Sequence, residues 1–457
     1  MNKFFLPKLL FRNFDFETER YIETDMDGSI KRIGKVRELG SDELSSARHL
    51  DGVVIPGFVN SHSHAFQVLL RGRGDHPKNF HDWVNTALYP LVKSLKTSDI
   101  EIATKVAYAQ MIRNGITCVG EFHYLHNLHP DENPDINTND PISISVIKSA
   151  EEIGIRQRFL YTGYDLGSKP GQERFTRNPF EVVESLNSLK KYFRDSPLIR
   201  IGAAPHSLHG ASEEMIRELK KWAEDNGEVC HIHLSEQESD VKESLNQFGM
   251  RPVEYLEDKG FLSSSVAIVH GIWLENSEIN TLSVNGVTHV YNPMTNMHLG
   301  DGIAPIRQYL ARGVTTALGT DANVNPDITK EMKATEYLQR ISALEMGIIQ
   351  SVTSDKNAAQ TLFKMGTENG GLALKMKVGL LEEGYFGDFL VLDVDDFEFA
   401  NGTQKYFLEN LTLSASIQDV LKEVYVGGNL VYSKDQGFTQ FDQKELKKSF
   451  TEISNSL

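Results

Sequence analysis

Eight short apolar, β-branched runs alternate with longer helical patterns along most of this chain, and that alternation constrains its fold more than any other feature. The runs are VVIPGFVNSH from Val53, ITCVGEFH from Ile116, QRFLYTGYD from Gln157 and IRIGAAPH from Ile199. They continue with EVCHIHLSE from Glu228, VAIVHG from Val266, VTHVYNP from Val287 and VTTALGTD from Val314. Between them lie stretches such as ASEEMIRELKKWAEDNG, which opens on a serine and two acidic residues and closes at Gly227, as helix ends do. Strands that alternate with helices build a parallel sheet. Eight such units predict an α/β fold, a (β/α)8 TIM barrel whose active site lies at the C-terminal strand ends. An open doubly wound sheet fits the same pattern.

The two ends of the chain have a different texture. LPKLLFRNF, a charged turn at Asp25 to Gly28 and SIKRIGKV read as short strands, as do GDFLVLDVDDF and VLKEVYVGGNLVYS. These segments predict a small β-sandwich domain built from both termini. It would comprise residues 1–55 and 376–445, flanking a barrel over 56–375, with 446–457 as a C-terminal tail. A length of 457 residues suits a barrel with a modest second domain.

Composition removes several function classes. The net charge is −16 and no basic block occurs, whereas a nucleic-acid partner calls for clustered positive charge. Cys118 and Cys230 have neither metal nor redox spacing, and two cysteines do not make a disulfide framework. No apolar stretch approaches the roughly 20 residues of a membrane helix, and MNKFFLPKLLFRNFDFETER has no cleavage site of the signal type. A cytoplasmic enzyme with a small-molecule substrate and no membrane or nucleic-acid partner is the expectation.

Residues suited to chemistry gather at the strand ends. His62 and His64 end the first run, Glu121 and His123 the second, and His206 the fourth. His231, His233 and Glu236 end the fifth, His270 the sixth and Asp321 the eighth. Residues two apart on a strand share a face, so His62 and His64 can meet one ion. With fifteen histidines in the chain, one such pair arises by chance, and alone it means little. His233 and Glu236 form an HxxE step that offers a neutral ligand and, three residues on, a carboxylate able to handle protons. His231 lies one pleat deeper and reads as a packed residue; Cys230 has the opposite parity and reads as core. Asp321 alone would pass for a turn residue, and His270 for a satisfied core histidine. Five residues in order at one end of one barrel make a metal site the better reading.

The segments PGFVNSHSHAFQ, HIHLSEQ, VHG and LGTDAN resemble the amidohydrolase superfamily, in its aminohydrolase branch, from about Ile55 to Asp393. The resemblance implies one divalent metal, Zn2+ or else Fe2+, on His62, His64, His233 and Asp321. It further implies catalytic roles for Glu236, His270 and Asp321, with His270 beside the attacking water and Glu236 as proton shuttle. The binuclear branch carries a bridging lysine; IRIGAAPHS has none, which favours one metal. Relatives of this kind are commonly homodimers.

Within the branch, HSHAFQ, EFHYLHN, APHSL and RPVEYL are most similar to formimidoylglutamate deiminase, an enzyme of histidine degradation. That likeness implies substrate contacts from Gln67, Tyr124 and His206. Two arginines of that family are replaced here by His209 and Val84, and neither replacement reproduces bidentate guanidinium pairing. Arg71 and Arg73 lie in the same loop. LLRGRGDHPKNFHDWVNTALYPL, NPMTNMHLGDGIAP and ALGTDANVNPD instead resemble S-adenosylhomocysteine, methylthioadenosine and guanine deaminases, in which Asp82 would meet a ribose or ring substituent. The expected function is hydrolytic release of ammonia from an amidine-type carbon, with a purine deaminase as the alternative. Two further readings use the same barrel: a non-catalytic scaffold, which the complete ligand set disfavours, and a hydrolase of C–halogen or amide bonds.

Overall fold

The computed structural model describes residues 2–133, 140–355, 357–399 and 404–457. Its centre is a sheet of eight parallel strands in sequential order: Phe58–Ser63, Ile116–His123, Arg156–Gly163, Ile199–Pro205, Cys230–Leu234, Val266–His270, Thr288–Tyr291 and Thr316–Leu318. All eight carry buried side chains on both faces. That is why they read as continuous apolar runs rather than alternating ones. Their helices follow local signals: Ser212 Oγ accepts the Met215 N–H at 3.1 Å to start Glu213–Asn226, and Gly227 ends it at φ 67°.

The barrel closes through the residues that matter most. Thr320 N and Asp321 N donate to the His62 carbonyl at 3.0 and 2.9 Å, and His64 N donates to the Asp321 carbonyl at 2.9 Å. This seam joins the first strand to the chain beyond the last. Gly319 sits inside it. A Cβ there would lie 2.8 Å from His62 Cβ and 2.9 Å from His62 N, so only glycine permits the approach.

The terminal segments form one continuous mixed sheet of nine strands. Lys3–Arg12 pairs in parallel with Arg48–Pro56, which pairs antiparallel with Phe389–Leu392. Phe5, Ile22, Val54, Phe389 and Tyr425 belong to its own buried core. The run expected as a single barrel strand from Val53 is therefore two strands. It breaks at Pro56–Gly57, where Gly57 N donates to the Asp388 carbonyl at 3.0 Å. Residues 446–457, expected as a tail, lie mostly within the helix Gln443–Ser456, capped by Asp442. A buried ion pair fastens sheet to barrel: Arg156 Nε and Nη2 donate to Asp388 at 2.7 and 2.9 Å, and Gly427 N donates to the same carboxylate at 2.7 Å. Among the described residues no helix is long and apolar enough to cross a membrane.

Candidate active site

At the C-terminal strand ends His62, His64 and His233 bring ligand atoms together, and His62, His270 and Asp321 do so beside them. His62 Nε2 is 3.1 Å from His233 Nε2 and 3.5 Å from Asp321 Oδ1; His64 Nε2 is 3.3 Å from the same oxygen. The tautomers show what the group is built for. His64 Nδ1 donates to the Phe122 carbonyl at 2.7 Å, and burial lowers its pKa to about 4, so the ring is neutral and that is its single proton. Its Nε2 therefore turns a bare lone pair towards a carboxylate oxygen. Two acceptors in a buried site repel unless a cation lies between them, and the donor set fits a metal ion. Burial also pushes the pKa of His62 and His233 well down, so both are neutral as ligands must be.

His270 stands next to this group. Asn296 Nδ2 faces its Nδ1 at 3.1 Å, which leaves the ring proton on Nε2, 3.8 Å from Glu236 Oε1 and 3.9 Å from Asp321 Oδ2. The His289 ring bonds the His270 carbonyl at 2.9 Å. Burial, followed by repulsion from Asp301 and Asp321, raises the Glu236 pKa well above its ordinary value and favours its protonated form. Asp301 is raised to about 7, chiefly by burial, while accepting from Asn296 Nδ2 at 2.9 Å and from Gln237 Nε2. Ser235, His270 and Asp321 all have positive φ, at 50°, 75° and 45°. Such strained backbone, in three residues around one centre, is typical of functional sites.

A cavity of about 280 Å³ opens over these groups. Gln67, Tyr124, His206 and His209 line it together with His233, Glu236, His270 and Asp321. Gln67 Nε2 donates to the Tyr124 hydroxyl at 2.8 Å, and the His206 ring lies 5.0 Å from that of His233. Asp82 is not among the lining residues. Its carboxylate accepts the Lys78 N–H at 2.9 Å within the loop, while Trp83 and Val84 face the cavity. Arg71 and Arg73 do not line it either: Arg71 is spent on the Asn323 carbonyl and Gln110, and Arg73 on the Ser454 carbonyl. His231 sits beneath the site, its Nε2 bonded to the Ala373 carbonyl at 2.8 Å. His123 packs its ring 5.3 Å from Phe159, away from the cavity.

Three contributors carry no role in the sequence analysis. Glu121 accepts from Ser63 Oγ at 2.8 Å and Ala65 N at 2.7 Å, clamping the turn that carries His64. Asn296 and Asp301 orient His270 and press on Glu236. Both lie in NPMTNMHLGDGIAP, a segment noticed for its likeness but not for these side chains.

A family model described as the amidohydrolase family matches residues 53–431. The 5-methylthioadenosine/S-adenosylhomocysteine deaminase of Thermococcus sibiricus is 32% identical over 366 residues, 79% of each chain. The 5'-deoxyadenosine deaminase of Methanopyrus kandleri is 29% identical over 453 residues, 96% of each chain. A crystal structure of an adenosine deaminase from Xanthomonas campestris with bound zinc superposes with a TM-score of 0.83. It covers 99% of this chain and 98% of that one at 20% identity, a likeness of fold. Neither sequence relative is a formimidoylglutamate deiminase, so the expectation of that enzyme gives way to the likeness with the adenosine-type deaminases. The chain belongs to the amidohydrolase family and is an enzyme of it, a hydrolase acting on non-peptide C–N bonds.

Proposed function

We propose that this chain is a metal-dependent hydrolytic deaminase of aminopurine nucleosides of the methylthioadenosine, S-adenosylhomocysteine and 5'-deoxyadenosine type. The observation that carries the reading is the convergence of His62, His64, His233 and Asp321 under a cavity that also holds Glu236 and His270. The names of the relatives supply the substrate class. One divalent ion, Zn2+ or Fe2+, suits three neutral imidazoles and a carboxylate. When bound, it supplies Lewis-acid stabilisation and makes water acidic enough to ionise near neutrality.

The protein's own groups account for the proton traffic. Burial favours the protonated form of Glu236, which lines the cavity and would donate its proton to a ring nitrogen of a bound purine. That protonation leaves the amino-bearing carbon open to water. Glu236, now ionised, receives the proton the water gives up as its oxygen bonds to that carbon and delivers it to the amine, which leaves as ammonia; as the carbonyl forms, the remaining hydroxyl proton returns to Glu236 and restores its starting form. His270 directs its Nε2–H between Glu236 and Asp321 and holds the water there. Gln67, Tyr124, His206 and His209 contact the substrate. No covalent nucleophile is required.

The test is ammonia release from methylthioadenosine, S-adenosylhomocysteine, 5'-deoxyadenosine, guanine and formiminoglutamate. The proposal expects a nucleoside to reach kcat/KM above roughly 10⁴ M⁻¹s⁻¹, within the range of true substrates. Turnover of formiminoglutamate alone would overturn it.

A further inference from the structure

One wall of the cavity is formed by Tyr89, Tyr164 and Gln172, and its hydrogen bonds are fixed in one sense. Gln172 Oε1 accepts two backbone N–H groups, from Ser168 at 2.9 Å and Lys169 at 2.8 Å. That settles the orientation of the amide. Its Nε2 then donates to both phenols, to the Tyr89 oxygen at 2.7 Å and the Tyr164 oxygen at 2.8 Å. Each phenol oxygen is thus already an acceptor, and its own proton must go elsewhere. All three residues line the cavity. Burial raises the pKa of both phenols, so neither ionises near neutral pH.

The result is a pair of O–H donors aimed at the ligand space. Lys169, on the same turn, lines the cavity too and has no ion-pair partner among the described residues. Nothing on this turn offers the cavity a carboxylate. The wall is separated from the ligand group by His206: Tyr164 packs edge-on against His206 at 4.8 Å, and His206 in turn lies 5.0 Å from His233. A nucleoside with its amino group beside Glu236 would reach this wall with its other end.

We propose that Gln172 polarises Tyr89 and Tyr164 into a donor pair that, with Lys169, selects a nucleoside whose 5' end carries an acceptor oxygen, a carboxylate above all. This rests on the deaminase reading and deepens it, since it predicts preference for an amino-acid tail over an apolar one. It also explains how a cavity without a lining arginine can hold such a tail.

The decisive variant is Gln172→Glu. It keeps the acceptor for Ser168 and Lys169, and therefore the turn, but replaces the N–H donors by a carboxylate oxygen. Both phenols then donate to it and turn lone pairs to the cavity. Steady-state kinetics of the metal-loaded full chain with S-adenosylhomocysteine and methylthioadenosine read the effect, alongside a Tyr89→Phe, Tyr164→Phe double variant. For S-adenosylhomocysteine, KM rises on the order of 10-fold or more in both variants, the scale of two lost hydrogen bonds, while kcat stays within about 3-fold. For methylthioadenosine, KM stays within about 3-fold, and melting temperatures are unchanged. An equal loss on both substrates, or no loss, overturns the donor wall while leaving the deaminase reading intact. Absence of ammonia release from either nucleoside by the wild type would remove both.

Discussion

Replacing Gly319 by alanine should loosen the metal site without touching a ligand. The added Cβ would lie 2.8 Å from His62 Cβ and 2.9 Å from His62 N, and it would also strike the Asn292 side chain. Carbon atoms rest at about 3.5–4.0 Å, so relief requires a retreat of roughly 0.7 Å. Asn292 can rotate away, because neither of its side-chain polar atoms has a hydrogen-bond partner. His62 cannot, because its carbonyl accepts from both Thr320 N and Asp321 N. A shift of that size exceeds the roughly 0.5 Å tolerance of a preorganised site. We expect metal affinity to fall about 10- to 100-fold, the usual effect of disturbing a ligand's supports. Overpacking should also cost about 1–3 kcal/mol of stability. Competition against a chelator of known affinity gives the first quantity, and urea unfolding of the metal-free protein the second. A variant that holds metal as tightly as wild type would refute the argument that the barrel seam sets the ligand geometry.

Three further outcomes follow from the same structure. Glu236→Gln should retain metal and fold but lose at least about 10²-fold in kcat, the scale of general acid–base catalysis; activity within a few-fold of wild type would show that another group moves the protons. Asp388→Ala strands the buried Arg156 guanidinium, so urea unfolding should report a loss of about 3–5 kcal/mol, and a loss below about 1 kcal/mol would contradict the fastening role given to that pair. Burial lowers the His123 pKa from 6.5 to about 4, so the unfolded chain takes up a proton that the folded one excludes, and this residue's stability contribution is lost as pH falls through that window. In His123→Gln the stability drop between pH 7 and pH 5 should therefore shrink by about 2 kcal/mol, measured on metal-free protein, whereas an unchanged drop would place a proton on His123 in the folded state.

The barrel was legible because strands buried on both faces leave continuous apolar runs, and six of the eight runs ended on candidate site residues. The break at Pro56–Gly57 was hidden, since two consecutive buried strands in different sheets look like one long strand. His62, His64, His233, Asp321, Glu236 and His270 stood out because register carries them to one end of the barrel. Glu121, Asn296 and Asp301 act through contacts with chain segments distant in sequence, which spacing does not reveal. Asp82 shows the converse: expected beside the substrate, this acidic residue next to a cavity-facing tryptophan turns its carboxylate back into its own loop. Gln172 gave no signal at all, because its importance lies in the direction of four hydrogen bonds.

The central claim is that one metal ion, held by His62, His64, His233 and Asp321, enables deamination of an aminopurine nucleoside. Its most direct test is to strip the protein with a chelator, add back zinc in known fractions, and follow ammonia release from whichever of methylthioadenosine and S-adenosylhomocysteine is turned over faster. We predict no turnover without metal and a linear rise that levels off at one equivalent per chain. Full activity in the stripped protein, or a rise that continues to two equivalents, would contradict the account.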